Sequence, residues 1–245
     1  MSLDTISNYL TQIKEITDYV YLHVLGEPLL HKDIEKVFDI TDNLNLNVQL
    51  VTNGTLLKEH LQILKHKSLR KLSISIHSTN NIDIDSTYFN TIDSILNTNN
   101  DFYLDLRFVQ YEKLDTKTKA YFNNLITKYN VEYKPEIKSY KLKNNIYLNI
   151  LDEFKWPNIN DPILGESGKC KGAVDQIAIL HDGRVTICCL DSNGYNEIGN
   201  LNKEKLIDII NSNKYQSIIN NFKNNKLSFE LCKKCSYRLR FKWYA

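Results

Sequence analysis

At 245 residues, with 42% hydrophobic and 24% charged side chains, the chain can bury a sizeable core, as one large domain or as a domain with an appendage. A formal net charge of +2 is too small to argue for nucleic acid or a membrane surface as partner. No apolar run approaches the length that crosses a bilayer, and the amino terminus lacks the basic-then-apolar pattern of a secretory signal, so a cytoplasmic location is expected.

Taken in order, Leu3 to Glu15 sets Leu3, Ile6, Leu10 and Ile13 on one helical face. Tyr19 to Leu25 reads as a buried strand, and Gly26-Glu27-Pro28 ends it. Such an ending lets another molecule approach the glycine backbone. It also fixes the Glu27 carboxylate at the carboxyl end of the strand, where ligands bind in parallel α/β proteins. The plain alternative is a strand-to-loop turn with a solvated glutamate. A helix near His31 to Asp42 follows, then strand Val48 to Val51, helix Lys58 to Lys65 and strand Leu72 to Ile76. Helix Thr87 to Leu96, strand Phe102 to Val109, helix Thr116 to Tyr129 and a short strand Val131 to Tyr133 complete the run. Strands alternating with helices this regularly imply an α/β fold, a parallel sheet built from right-handed crossovers.

A parallel sheet covered by helices on both faces should be apolar on both, yet here one face is polar. Tyr21 and His23 share it with Gln49, Val51 and Asn53, with Ser73, Ser75 and His77, and with Tyr103, Asp105 and Arg107. The alternates are apolar: Val20, Leu22 and Val24, or Leu104, Leu106 and Phe108. One face packs on helices and the other lines a wet space. The pattern predicts a curved, barrel-like sheet with Glu27, Asn53 and His77 at its mouth. Satisfied polar pairs around Asp105 and Arg107 are the alternative.

Beyond Lys134 the alternation fails. Residues 138–167 hold one strand-like run, Ile146 to Leu151, and read as a connecting segment between a first region, 1–137, and a second, 168–245. In the second region strands Gln176 to Leu180 and Arg184 to Cys188 flank the turn His181-Asp182-Gly183, and a long helix runs from Lys203 to Phe222.

All five cysteines lie here. Disulfides rarely persist in a reducing compartment, so this clustering suggests metal. Cys232-x2-Cys235 can ligate one centre, and Cys170 with Cys188 can complete a four-thiolate set for zinc or an iron-sulfur cluster. Cys188 and Cys189, read as neighbours in a strand, should point to opposite faces, leaving Cys189 outside the set. Four buried free thiols are the alternative.

Together the two halves resemble one superfamily. Gly26-Glu27-Pro28, Thr52-Asn53-Gly54 and Ser73-Ile-Ser-Ile-His-Ser78 look like strand ends of the radical S-adenosylmethionine (radical SAM) enzymes. Cys170-x12-Gly183-x4-Cys188, Ile198-Gly199-Asn200-Leu201 and Cys232-x2-Cys235 resemble the SPASM or shorter twitch extension. The resemblance implies a partial (β/α) barrel of the radical SAM type, followed by a small α+β SPASM/twitch-like extension that binds an auxiliary 4Fe-4S cluster. It further implies that Gly26, Glu27 and Pro28 meet the amino group of bound S-adenosylmethionine, with Asn53 and Ser75 at the next strand ends and Arg107 in the lumen. The family's reaction is reductive cleavage of that cofactor to a 5'-deoxyadenosyl radical, which takes hydrogen from a substrate, here a peptide or a small molecule.

One departure matters. The family's C-x3-C-x2-C loop is absent, since no cysteine precedes Cys170. The expectation is a chain that lacks the first barrel strand, either a fragment or one begun at an internal methionine. Two further readings are a binding module without turnover and a zinc-stapled structural domain. Without a first strand, Tyr19 to Leu25 would be an unprotected sheet edge, which is expected either to pair with a second copy or to be covered by the chain's own Met1 to Ile16 segment.

Overall fold

The computed structural model describes residues 1–76, 86–98 and 101–241. It divides into two compact units, Met1–Ile16 with Phe154–Ala245, and Thr17–Glu153. The chain opens with helix α1 (Leu3–Lys14), then strand β1 (Tyr19–Leu22), α2 (Ile34–Asn43), β2 (Asn47–Thr52), β3 (Leu69–Ser75), α3 (Ser86–Asn97) and β4 (Tyr103–Val109). Helix α4 (Thr116–Lys128) and strands β5 (Ser139–Lys143) and β6 (Ile146–Leu151) complete the Thr17–Glu153 unit.

That unit is built on one six-stranded sheet in the order β1-β2-β3-β4-β6-β5. Strands β1 to β4 and β6 run parallel, and β5 pairs antiparallel with β6. One face is apolar and buried, from Val48 and Leu50 through Leu72, Ile74, Leu104, Leu106 and Phe108 to Leu148 and Ile150. The helices supply Val37, Phe38, Ile92, Leu96, Phe122 and Leu125 to the same core, and Phe108 meets Phe122 edge-on at 5.1 Å between centroids. Each such side chain contributes about 1.5–3 kcal/mol by leaving water. Asp115 starts α4 where it does: its Oδ1 accepts from the Thr118 amide at 2.8 Å, satisfying an orphan N–H of the first turn.

Several elements differ from expectation for local reasons. Strand β1 stops at Leu22, because Val24 takes φ +123° and Gly26 φ +90°, which no continuing strand can hold. Lys58 to Lys65 forms only a short 3-10 turn at Leu61–Lys65. Val131 to Tyr133 is no strand: Tyr133 spends its ring on Phe122 and Tyr140, and Ile146–Leu151 takes the place beside β4 instead. The residues expected to connect two regions thus contribute a hairpin to the sheet.

The second unit contains strands β7 (Ala178–Ile179), β8 (Arg184–Thr186) and β9 (Glu197–Asn200), and helices α5 (Leu206–Asn211), α6 (Asn213–Lys223) and α7 (Glu230–Lys234). β7 and β8 form the expected hairpin, with Gly183 at φ +85°, and β9 pairs antiparallel with β8. The single helix expected from Lys203 to Phe222 is two. Ser212 leaves the helical region at ψ 146° and its Oγ accepts from the Tyr215 amide, capping α6.

Helix α1 belongs to this unit. Tyr9 joins the core of Val185, Ile187, Ile198, Leu206, Ile209 and Phe222, and its hydroxyl donates to Asn202 Oδ1 at 2.9 Å. Gln12 Oε1 accepts the Leu206 amide at 2.8 Å, capping α5, whose N-cap Lys205 offers no side-chain acceptor. Residues 163–168 are stitched on as well: the Leu164 amide donates to Lys233 O at 2.9 Å and the Gly168 amide to Asn225 O at 2.8 Å. The two compact units meet along the chain after residues 16 and 153.

Candidate functional site

The polar face of the sheet is a register effect. In-register partners in a parallel sheet point the same way, so Gln49, Lys71 and Tyr103 form one row, Val51, Ser73, Asp105 and Tyr147 the next, and Ser75, Arg107 and Asn149 a third. Asp105 is the hub. It is buried, with 3% of its surface exposed. Its Oδ2 accepts from Arg107 Nε at 2.8 Å and Ser73 Oγ at 3.2 Å and pairs with Lys71 Nζ at 3.1 Å, while Asn149 donates to Oδ1. Burial alone would raise this carboxyl, but the Arg107 and Lys71 charges and the hydrogen bonds hold it below the ordinary value of 3.8. His23 is held below its ordinary value by desolvation and then by the Arg107 charge. The satisfied pairing weighed as an alternative is therefore present at Asp105.

Glu27 is committed inside the protein. Its Oε1 accepts from the Leu29 amide at 3.1 Å and from Thr52 Oγ1 at 2.7 Å, and its Oε2 accepts from the Asn53 amide at 2.7 Å. The carboxylate expected to face a ligand ties the end of β1 to the end of β2. Pro28 opens the short 3-10 turn that follows. Nothing lies within 4 Å of where a Gly26 Cβ would stand, so that backbone is open to approach. The Asn53 side chain is occupied by Thr55, its Oδ1 accepting from the amide at 2.9 Å and the hydroxyl at 2.7 Å. Ser75 and Arg107 sit side by side in register, both half-buried. His77, expected at the same mouth, lies outside the described residues.

In the second unit Cys170, Cys188, Cys232 and Cys235 line one cavity, whose other walls include Ile187, Leu190, Phe222, Leu227 and Leu231. Three of the sulfurs have N–H donors. The Gly172 amide reaches Cys170 Sγ at 3.4 Å, the Leu190 amide reaches Cys188 Sγ at 3.4 Å, and Asn196 Nδ2 reaches Cys232 Sγ at 3.6 Å. The backbone amides of Arg238 and Tyr237 act to lower the Cys235 thiol against its burial. Burial pushes the Cys170, Cys232 and Cys235 thiols up, and for Cys232 the neighbouring Cys170, Cys188 and Cys235 add to it. Cys188 is raised first by its hydrogen bond with Cys189 and then by burial. Four thiols this close can all ionise only around a positive centre, and the N–H groups favour the thiolate form. The donor set fits a cluster or metal bound by four thiolates. Among the described residues, no three His, Cys, Asp or Glu side chains draw together as a site for one metal ion.

Cys189 does not line the cavity. The reason expected for this is corrected, however. β8 ends at Thr186, so Cys188 and Cys189 sit in the turn beyond it, with both sulfurs within 3.8 Å of Gln176 Nε2 rather than on opposite strand faces. The hydrogen bond with Cys188 lowers the Cys189 thiol from its ordinary value.

Residues 170–236 match the family model of SPASM, an iron-sulfur cluster-binding domain. The chain carries a SPASM region. The matched stretch of this region holds all five cysteines. A segment of 57 residues is 39% identical to GTP 3',8-cyclase of Aquifex aeolicus (strain VF5), covering 22% of this chain and 18% of that protein. The match therefore spans less than a fifth of the curated relative. The structure of BtrN in complex with AdoMet and 2-DOIA superposes with a TM-score of 0.60 at 18% identity, over 96% of this chain and 80% of that one. Native anSMEcpe with bound AdoMet gives 0.54 at 17%, over 97% and 78%. Streptococcus suis SuiB bound to precursor peptide SuiA gives 0.53 at 17%, over 94% and 63%. At these identities the likeness to the solved structures is one of fold. Radical SAM enzymes with a SPASM region are what the chain resembles, in its mostly parallel α/β sheet and in its cysteine-bearing segment.

Sequence reasoning missed Lys71 and Asn149. Lys71 precedes the first polar residue that the alternation marks on β3, and Asn149 lay in a segment taken for a connector. The period-2 pattern of Ile146, Leu148 and Ile150 was the available signal.

Proposed function

We propose that Cys170, Cys188, Cys232 and Cys235 hold a 4Fe-4S cluster and that the chain is the barrel-and-extension part of a radical SAM oxidoreductase acting on a peptide or a small polar molecule. The observation that carries this is the convergence of four sulfurs on one cavity, three of them within reach of an N–H donor. When bound, the cluster would supply one-electron chemistry. The chain's own residues exclude water from the cavity with Ile187, Leu190, Leu227 and Leu231, and their N–H groups stabilise charge on the sulfurs. A zinc ion would draw four sulfurs to about 2.3 Å from one point.

In the other unit, the open Gly26 backbone and the row Ser75, Arg107 and Asn149 form the surface proposed for S-adenosylmethionine. Glu27 shapes that surface by tying two strand ends together, and its Oε2, which accepts only the Asn53 amide, keeps acceptor capacity toward the ligand. No cysteine precedes Cys170 within these residues, so cleavage of the cofactor requires C-x3-C-x2-C ligands from elsewhere, and an upstream segment of a longer chain is the proposed source. Anaerobic reconstitution with iron and sulfide tests the first part: broad absorbance in the visible blue is expected, and a colourless protein holding zinc contradicts it. Reading the coding sequence upstream of Met1 tests the second. A frame without those cysteines removes it.

A further inference from the structure

Arg238 also lines the cysteine cavity. It is 6% exposed, unusual for a guanidinium without a charged partner. Its three donors go to backbone carbonyls only: Nε to Cys232 O at 3.2 Å, Nη1 to Ser167 O at 3.2 Å and Nη2 to Gly165 O at 3.3 Å. Among the described residues none of the ion pairs involves it. Carbonyl dipoles fix the fork in place but leave its charge uncompensated. Two glycines make the room. A Cβ on Gly168 would strike Nη1, and one on Gly165 would stand 3.2 Å from Nη2. Among the described residues the one carboxylate lining the cavity, Asp191, is occupied by the amides of Tyr195 at 2.9 Å and Asn196 at 2.6 Å.

We propose that Arg238, held in the Gly165–Gly168 cradle, supplies the fixed positive charge that offsets the four thiolates and sets the reduction potential of the cluster they hold. This rests on the cluster reading above. A buried cation beside the centre stabilises its more negative, reduced form, and low dielectric keeps the effect large. Removing the charge while keeping a hydrogen-bonding side chain should therefore favour the oxidised form.

The test is a spectroelectrochemical titration of anaerobically reconstituted wild type, Arg238→Gln and Arg238→Lys, with iron counted for each. Wild type and Arg238→Lys should titrate together. Arg238→Gln should show the oxidised-to-reduced ratio raised at least tenfold at any given poise, a fall of about 59 mV for a one-electron couple. Loss of iron from Arg238→Gln but not from Arg238→Lys also supports the charge role. Arg238→Gln loading iron with the wild-type potential overturns it, as does loss of iron from both variants, which would make Arg238 a backbone clamp. If wild type itself takes up no iron, the four-thiolate reading fails first and this inference with it.

Discussion

Removing the Glu27 carboxylate should destabilise the Thr17–Glu153 unit rather than simply weaken a ligand. Its two oxygens accept three hydrogen bonds, two of them at 2.7 Å, from Leu29, Thr52 and Asn53. The Thr52 hydroxyl sits on a residue only 2% exposed. Hydrogen bonds to a charged acceptor contribute about 1.5–3 kcal/mol each, and a buried donor left unpaired costs about 1–3 kcal/mol. Glu27 is half-buried, so water replaces part of what is lost. Glu27→Ala should cost about 3 kcal/mol. Glu27→Gln should cost about 2 kcal/mol, because either amide orientation turns an NH2 toward at least one of the three donors. Urea unfolding followed by far-ultraviolet circular dichroism reads the global change, and hydrogen exchange at the Asn53 amide reads the local one. If both variants unfold within about 0.5 kcal/mol of wild type and the Asn53 amide stays equally protected, the carboxylate does not tie the two strand ends, and a ligand-facing role returns.

Asp105→Asn should cost about 3 kcal/mol at neutral pH, since it leaves Arg107 and Lys71 beside a neutral group. The native carboxyl titrates below its ordinary value of 3.8, so its contribution is complete above the unfolded value and is lost as pH falls through the native one. Urea midpoints of wild type and variant should therefore converge below about pH 4, and a constant gap would contradict the assignment. Gly183→Ala should loosen the SPASM unit by about 1–3 kcal/mol, because φ is +85° and the added Cβ would stand 2.6 Å from the Tyr9 hydroxyl and 2.8 Å from Asn202 Nδ2. Tyr9→Phe should cost about 1 kcal/mol in the same unfolding assay by removing the bond to Asn202. A null result for both would mean that α1 does not stabilise this unit. Strand β1 lies at one edge of the sheet, with Tyr19 and Tyr21 exposed. Light scattering should show concentration-dependent association that Tyr21→Pro abolishes, and equal association in both proteins would place the contact elsewhere.

The alternation of Val48, Leu50, Leu72, Ile74, Leu104 and Leu106 made the parallel sheet legible, because a buried face enforces a period of two. Gly183 and its hairpin were legible for a similar reason: one backbone conformation accepts few residue types. What escaped depends on distance along the chain. Helix α1 shows an apolar face, but nothing local reveals that Tyr9 and Gln12 find partners almost two hundred residues away at Asn202 and Leu206. Glu27 looked available because Thr52 and the Asn53 amide, which occupy it, lie 25 and 26 residues on. The break at Ser212 was written in a residue type that caps helices, yet the apolar spacing of Leu206, Ile210 and Ile218 runs across it.

Whether the four sulfurs hold one cluster is decided by iron and acid-labile sulfide per chain in anaerobically reconstituted wild type and in each single Cys-to-Ser variant. Wild type and Cys189→Ser should hold about four irons with matching sulfide, while Cys170→Ser, Cys188→Ser, Cys232→Ser and Cys235→Ser should each lose most of it. Full iron in Cys232→Ser, or loss confined to Cys189→Ser, would contradict the assignment of the site.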